Sequence, residues 1–222
     1  VIQGWGMTEL SPIGAVSTLR PDQLLLPPEQ QVQLRGKAGH GIFGIEMKVV
    51  DEAGRELPWD GTSSGELKVR GPWVCRAYYK HADSTAHDAD GWFATGDVAV
   101  IHPDGFMQIT DRAKDVIKSG GEWISSVDLE NCACGHPEVL MAAAIGVRHP
   151  KWDERPVLLV VPRPDCSPSA EAILEHLGRN FAKWQLPDRV VFVEALPLTA
   201  TGKINKRSLR EAYGQVLMHQ PT

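Results

Sequence analysis

Several stretches of this 222-residue sequence carry side chains whose types and spacing could do chemistry. Gly4-Trp5-Gly6-Met7-Thr8-Glu9 sets an indole between two glycines, so the backbone can turn and lay the ring against a flat ligand. Thr8 follows with a hydroxyl donor, and Glu9 with a carboxylate able to hold a hard cation. In Trp92-Phe93-Ala94-Thr95-Gly96-Asp97 an aromatic pair anchors a close backbone approach, and the carboxylate just beyond suits hydrogen bonds from adjacent sugar hydroxyls. Lys203 stands at the tip of Thr199-Ala200-Thr201-Gly202, a loop from which one ammonium can swing to an anionic centre. Ile204 follows it, where a phosphate loop requires Ser or Thr. Each site also has a plain reading: a strand-end turn with a buried Trp, an Asp that caps a turn, and a solvated basic tail on Lys206, Arg207 and Arg210.

These groups need elements to hold them, and the stretch from Asp111 to Ser125 organises the rest. A charged start, Asp111-Arg112-Ala113-Lys114-Asp115, leads through a β-like Val116-Ile117-Lys118 to Ser119-Gly120-Gly121, where positive φ angles are open to the backbone. A charged joint followed by a glycine-bent loop reads as a hinge at 111–112 carrying a functional loop. Before it, residues 1–110 contain a small antiparallel β module, with strands at Glu46–Asp51 and Glu66–Arg70 and a hairpin from Val98 to Thr110. Residues 20–41, rich in Pro, Gln and Gly, read as a surface connection.

After the hinge, residues 111–222 read as a compact α+β domain. Ser125 or Ser126 caps a helix to about Cys134, with Gly135 at C′. Strands follow at Val139–Val147 and Val157–Val161. A second helix opens at Ser167-Pro168 and carries Ile173, Leu174, Leu177, Phe181 and Trp184 on one face; a third strand spans Val190–Val193. The fold class expected is therefore α+β throughout.

The net charge of -5 argues against nucleic acid as a partner. It is uneven: residues 1–111 hold 9 Lys+Arg against 15 Asp+Glu, and residues 112–222 hold 14 against 13. No apolar run approaches the ~18–20 residues of a membrane span, and the start lacks both a signal peptide and an initiator Met, as a piece of a longer protein would. Cys75, Cys132, Cys134 and Cys166 lack zinc-knuckle spacing and read as free buried thiols in a reducing compartment. His81, Asp83, His87, Asp88 and Asp90 read as a solvated turn-rich loop rather than a metal cluster.

The order of the motifs says more than any one of them. Gly-Trp-Gly-Met-Thr-Glu, Gly65-Glu66-Leu67, Trp92-Phe93-x-Thr-Gly-Asp97, Asp111-Arg112-x-x-Asp-x-Ile-Lys-Ser-Gly-Gly121 and Pro197-x-Thr-x-Thr-Gly-Lys203 together resemble the acyl-adenylate-forming (AMP-binding) superfamily over essentially the whole chain. Ile117 to Ser125 is similar to the fatty-acyl-CoA synthetase branch, and the chain resembles the C-terminal portion of such an enzyme.

The resemblance implies ATP, Mg2+ and coenzyme A, and a fatty acid of medium or long chain that is adenylated and then transferred to CoA. It implies that Trp5, where the family usually has Tyr, stacks near adenine. Thr8 contacts phosphate and Glu9 coordinates Mg2+. Asp97 binds the ribose and Arg112 the ribose or phosphate. Asp111 is the pivot of the small mobile domain. Lys203 reaches the α-phosphate and acyl carboxylate. Gly120 and Gly121 line the pantetheine path, and Trp123 covers the nucleotide in one state. The family's phosphate-binding loop and most of its acyl pocket precede Val1, so the chain alone is expected to be inactive and to need the N-terminal part. The implied location is cytoplasmic, with peripheral membrane association and homodimerisation left open. Two alternatives remain: a non-enzymatic nucleotide-binding or interaction module of the same fold, and a ligase for aryl or other carboxylic acids.

Overall fold

The computed structural model describes residues 2–80 and 87–218, and they form two compact units, Val1–Ala113 and Lys114–Thr222. The loop expected around His81 and Asp83 falls outside the described residues.

The first unit holds two antiparallel sheets. β1 (Gly4–Gly6), β2 (Ile13–Val16) and β3 (His40–Gly41) make the smaller, in that order. Between β2 and β3 lies α1 (Pro28–Arg35), in the region expected to be only a connection. It opens with Pro at its start, as a helix tolerates, but buries none of its residues, so no apolar stripe betrays it. The larger sheet runs β4 (Glu46–Val50), β5 (Gly65–Arg70), β6 (Phe93–Ile101) and β7 (Met107–Arg112). The expected alternation is there. Leu67 and Val69 of β5 point into a core with Val49, Phe93, Ala99, Ile101 and Met107, while the intervening Glu66, Lys68 and Arg70 do not. A bulge between Val98 and Ala99 interrupts the β6–β7 ladder, and beyond it Asp97 pairs with Arg112 and Val98 with Asp111. The strand end thus delivers three of the expected site residues to one corner.

In the second unit β8 (Ile117–Ser119) and β9 (Glu122–Ile124) form a hairpin that leads into α2 (Ser126–Cys134). Ser125 caps α2, accepting the Asp128 amide at 3.1 Å. Gly135 ends it in ordinary right-handed geometry (φ -71°), so the left-handed cap expected from glycine is absent. β10 (Val139–His149) and β11 (Asp153–Pro162) pair antiparallel along their length. α3 (Ala170–Leu177) and β12 (Arg189–Phe192) follow, β12 adding parallel to β11, and α4 (Lys206–Tyr213) completes the unit. β10 and β11 are almost continuously apolar because both faces are covered. Ala142, Ala144, Leu158 and Val160 meet Leu129 of α2 and Ile173 and Leu177 of α3. The alternate set, Ala143, Ile145, Val157 and Leu159, meets Leu209 of α4 on the other face.

Two expectations need correction here. α3 starts at Ala170 with Ser169 as its cap and stops at Leu177, so Phe181 and Trp184 lie beyond it; Trp184 sits in a 3-10 turn, 44% exposed, and is not part of a helix stripe. The residue after Pro168 supplies a better cap than Pro supplies a first turn. The four cysteines are free, but Cys134 is exposed and the other three are half-buried rather than buried.

Candidate functional site

Asp97 is the centre of the site in the first unit. It is 4% exposed, at the point where β6 straightens after Gly96, whose φ of 71° lies in the left-handed region. Thr95 holds the approach: its hydroxyl donates to the Leu67 carbonyl at 2.8 Å and accepts the Asp97 amide at 3.1 Å. The carboxylate is gripped on both sides. Trp5 donates its indole N–H to Oδ2 at 2.9 Å, and Arg112 Nη1 pairs with Oδ1. Each oxygen keeps a further lone pair, so two more donors can be received by a group already aimed. The Arg112 side chain is half exposed, leaving guanidinium donors for a ligand, and its own amide donates to Asp111 Oδ1 at 2.7 Å. Asp111 is buried within β7.

Trp5 is set by packing as well. A Cβ on Gly14 would come within 2.4 Å of its ring, so β2 must carry glycine there. Beyond β1, the 3-10 turn Thr8–Leu10 buries Leu10 and leaves Thr8 exposed and Glu9 half-buried. Tyr78 donates its phenol O–H to Glu9 Oε1 at 2.7 Å, and this bond to a carboxylate pushes the Tyr78 pKa up to about 12. Glu9 offers a single hard carboxylate, and among the described residues no group of three metal-ligating side chains forms. That donor set fits Mg2+ of the kind held by one or two carboxylates plus substrate phosphates. Trp5, Asp97 and Arg112 are therefore in direct contact, with Asp111 bonded to Arg112. Thr8 and Glu9 stand on the turn that follows the Trp5 strand.

The second unit carries the other candidates. Gly120 (φ 60°) and Gly121 (φ 90°) form the two-residue turn of the β8–β9 hairpin, with both central residues left-handed as such turns require. Gly120 donates its amide to the Trp152 carbonyl at 2.8 Å, and a Cβ there would meet the Trp152 ring at 3.0 Å. Around Gly121 nothing lies within 4 Å of such a Cβ. Trp123 faces Lys118 across the hairpin, the ammonium 5.5 Å from its ring.

Beside this hairpin is a cavity of about 570 Å3 lined by Ser119, Gly120, Glu122, Trp152, Arg155, Trp184 and Asp188. Arg155 builds it. Its guanidinium donates to Ser119 Oγ at 2.9 Å, to the Trp184 and Leu186 carbonyls at 2.6 and 3.0 Å, and to Asp188 Oδ1 at 2.9 and 2.6 Å. One side chain thereby joins the hairpin to the Trp184 turn. Sequence reasoning missed Trp152, Arg155 and Trp184. The sequence signal is two tryptophans beside turn-forming residues, Trp152 before Asp153 and Trp184 just ahead of Leu186-Pro187, and the helical spacing of Trp184 with Leu177 and Phe181 hides the second.

Lys203 projects from a closed turn and is exposed; its side chain has no ion-pair partner among the described residues. Thr199 closes the turn in both directions. Its amide donates to the Lys203 carbonyl at 2.7 Å, and its hydroxyl accepts the Lys203 amide at 3.2 Å. Gly202 supplies the left-handed residue, φ 77°.

The sequence model of the AMP-binding enzyme matches residues 1–79, and that of the AMP-binding enzyme C-terminal domain matches residues 128–203. The chain belongs to the AMP-binding enzyme family. Relatives agree with this. A 3-methylmercaptopropionyl-CoA ligase of Ruegeria lacuscaerulensis is 52% identical over 97% of this chain and 40% of its own length. A medium-chain-fatty-acid–CoA ligase of Ectopseudomonas oleovorans is 49% identical over 98% of this chain and 40% of its own. ATP-bound MatB from Rhodopseudomonas palustris superposes with a TM-score of 0.83 at 29% identity, covering 98% of this chain and 41% of that one. This AMP-binding enzyme chain thus spans about 40% of the length of the curated relatives it matches.

Proposed function

We propose that the chain is the ribose-binding, hinge and small-domain part of an ATP-dependent acyl-CoA ligase. The observation that carries the reading is Asp97, buried and held between Trp5 and Arg112 with lone pairs to spare. In the first half-reaction a carboxylate oxygen attacks the α-phosphorus of ATP, and the bond to pyrophosphate breaks. In the second, the CoA thiol attacks the acyl carbon, its proton leaves, and AMP departs with the bonding pair.

Asp97 accepts the ribose hydroxyls, Trp5 lies near the adenine, and Arg112 reaches ribose or phosphate. Thr8 contacts phosphate, and Glu9 would hold Mg2+, which when bound neutralises the departing pyrophosphate. Lys203 stabilises the charge growing on the α-phosphate and the acyl carboxylate. Asp111 is the pivot that lets the small domain serve both steps, with Gly120 and Gly121 along the path of pantetheine and Trp123 over the nucleotide. The cavity next to Gly120, with two tryptophan walls, is the seat we assign to the far end of CoA.

The acid is a medium- or long-chain fatty acid in this reading, supported by the name of the Ectopseudomonas relative. The Ruegeria relative, named for a short thioether acid, favours a second reading in which the acid is short. Thioester formation with octanoate, palmitate and 3-methylmercaptopropionate in competition separates them. For the mechanism, Lys203→Ala in the full-length ligase should slow ATP–pyrophosphate exchange by about 100- to 1000-fold. Thioester formation from supplied acyl-AMP should stay nearly unchanged. Equal loss in both half-reactions refutes the role of Lys203.

A further inference from the structure

α4, whose Lys206, Arg207 and Arg210 have the plain reading of a solvated basic tail, has two of these three cations drawn inward. Lys206 Nζ lies 2.7 Å from Glu130 Oε1 and 2.7 Å from Ser126 Oγ, with side-chain exposures of 11% for Lys206 and 15% for Glu130. Glu130 Oε1 also accepts the Ala144 amide at 2.8 Å, which ties the pair to β10. One turn on, Arg210 Nη1 donates to Asp115 Oδ1 at 2.8 Å, and Asp115 is 11% exposed. Arg207, between them, stays at the surface with Glu211. α4 is thus pinned to α2 at one end and to the chain four residues past Asp111 at the other.

The Lys203 loop is built onto this helix. Asn205 caps α4 by accepting the Ser208 amide, and its own amide donates to the Pro197 carbonyl at 2.8 Å. Both ends of the loop are therefore set by where α4 lies. Pairs buried this far contribute little net stability, because desolvation offsets the attraction. What they fix is direction: both pairs close together only for one placement of the helix.

We propose that Glu130 and Asp115 are positioning residues for Lys203: through Lys206 and Arg210 they fix α4, and with it the place of the Lys203 ammonium during acyl-AMP formation. This rests on the role of Lys203 given above.

The test compares Glu130→Gln, Asp115→Asn, the surface control Arg207→Ala and the reference Lys203→Ala in the full-length ligase. Because a lone buried lysine can unfold a variant, Glu130→Leu with Lys206→Met is included, a swap of paired charges for apolar volume. ATP–pyrophosphate exchange, thioester formation from supplied acyl-AMP, and amide hydrogen exchange at Thr199 and Asn205 are measured for each.

The three pinning variants should lose about 10-fold in kcat of pyrophosphate exchange, as small misplacements of a reacting group do. Their KM for ATP and their thioester rates should hold, and the Thr199 and Asn205 amides should exchange faster. Arg207→Ala should match the parent protein. If the pinning variants adenylate normally while Lys203→Ala does not, the inference fails and the role of Lys203 stands. If Lys203→Ala also adenylates normally, that role fails and the inference falls with it. Equal losses in both half-reactions mark a merely structural pair and overturn the proposal.

Discussion

Trp5 and Asp97, 92 positions apart, are joined by an indole N–H to carboxylate bond of 2.9 Å, and Arg112 closes on the other oxygen of the same carboxylate. The carboxylate is therefore oriented before any ligand arrives, so little of the binding energy is lost to ordering it. Asp97→Asn keeps the shape but replaces one acceptor with a donor. It should weaken AMP binding at least about 10-fold, the equivalent of about 1.4 kcal/mol, by calorimetry. Asp97→Ala should in addition cost about 1–3 kcal/mol of stability in denaturant, since the Trp5 N–H is left without its acceptor. Unchanged AMP affinity in Asp97→Asn would remove the ribose role.

A second expectation concerns pH. Tyr78 titrates at about 12 rather than its ordinary 10.0, because its proton is shared with Glu9. A group whose pKa is raised on folding contributes stability that is fully present below the unfolded value. That contribution should therefore hold up to about pH 10 and fade as pH rises through 12. Ultraviolet titration of the phenolate should place Tyr78 back in its ordinary range in Glu9→Gln. A Tyr78 titration that does not move would show that Glu9 is not its partner in solution.

The two turn glycines should behave differently. Gly121→Ala meets open space, so its cost is the left-handed backbone alone, about 1–2 kcal/mol. Gly120→Ala carries that cost and a 3.0 Å approach to Trp152 as well. A bulkier residue at Gly121 should block thioester formation and spare adenylation in the full-length ligase. Equal damage to both half-reactions would make the loop structural only.

Trp152→Ala removes one wall of the cavity beside Gly120 while leaving the Asp97 site untouched. The KM for CoA should rise by about 5- to 150-fold, the worth of one aromatic stacking contact of ~1–3 kcal/mol. Pyrophosphate exchange should not change. A normal KM for CoA would place the cofactor elsewhere.

The longer strands and most helices were legible because each burial pattern has its own period, whereas β1, β2, β3 and β9, of two to four residues each, are too short to show one. β5 alternates because one of its faces is covered, and β10 and β11 run continuously apolar because both are. α1 was illegible for the complementary reason: it buries nothing, so tertiary hydrogen bonds such as Ser17 Oγ to the Leu34 carbonyl hold what no apolar stripe announces. Individual site residues could be picked out wherever glycine and a polar group adjoin, as at Gly96-Asp97 and Gly202-Lys203. Contacts between distant segments could not. Nothing local links Trp5 to Asp97, Tyr78 to Glu9, or Lys206 to Glu130, since each partner sits on a separate element and meets the other only through sheet register or helix packing.

Arg155 gives the cavity a property that its surface neighbours lack. Its pair with Asp188 is largely enclosed, with the Arg155 side chain 10% exposed, and enclosed charges are screened far less than those in open water. A surface pair such as Arg207 and Glu211 fades as ionic strength rises. The wall that joins Ser119 to the Trp184 turn therefore keeps its form in concentrated salt.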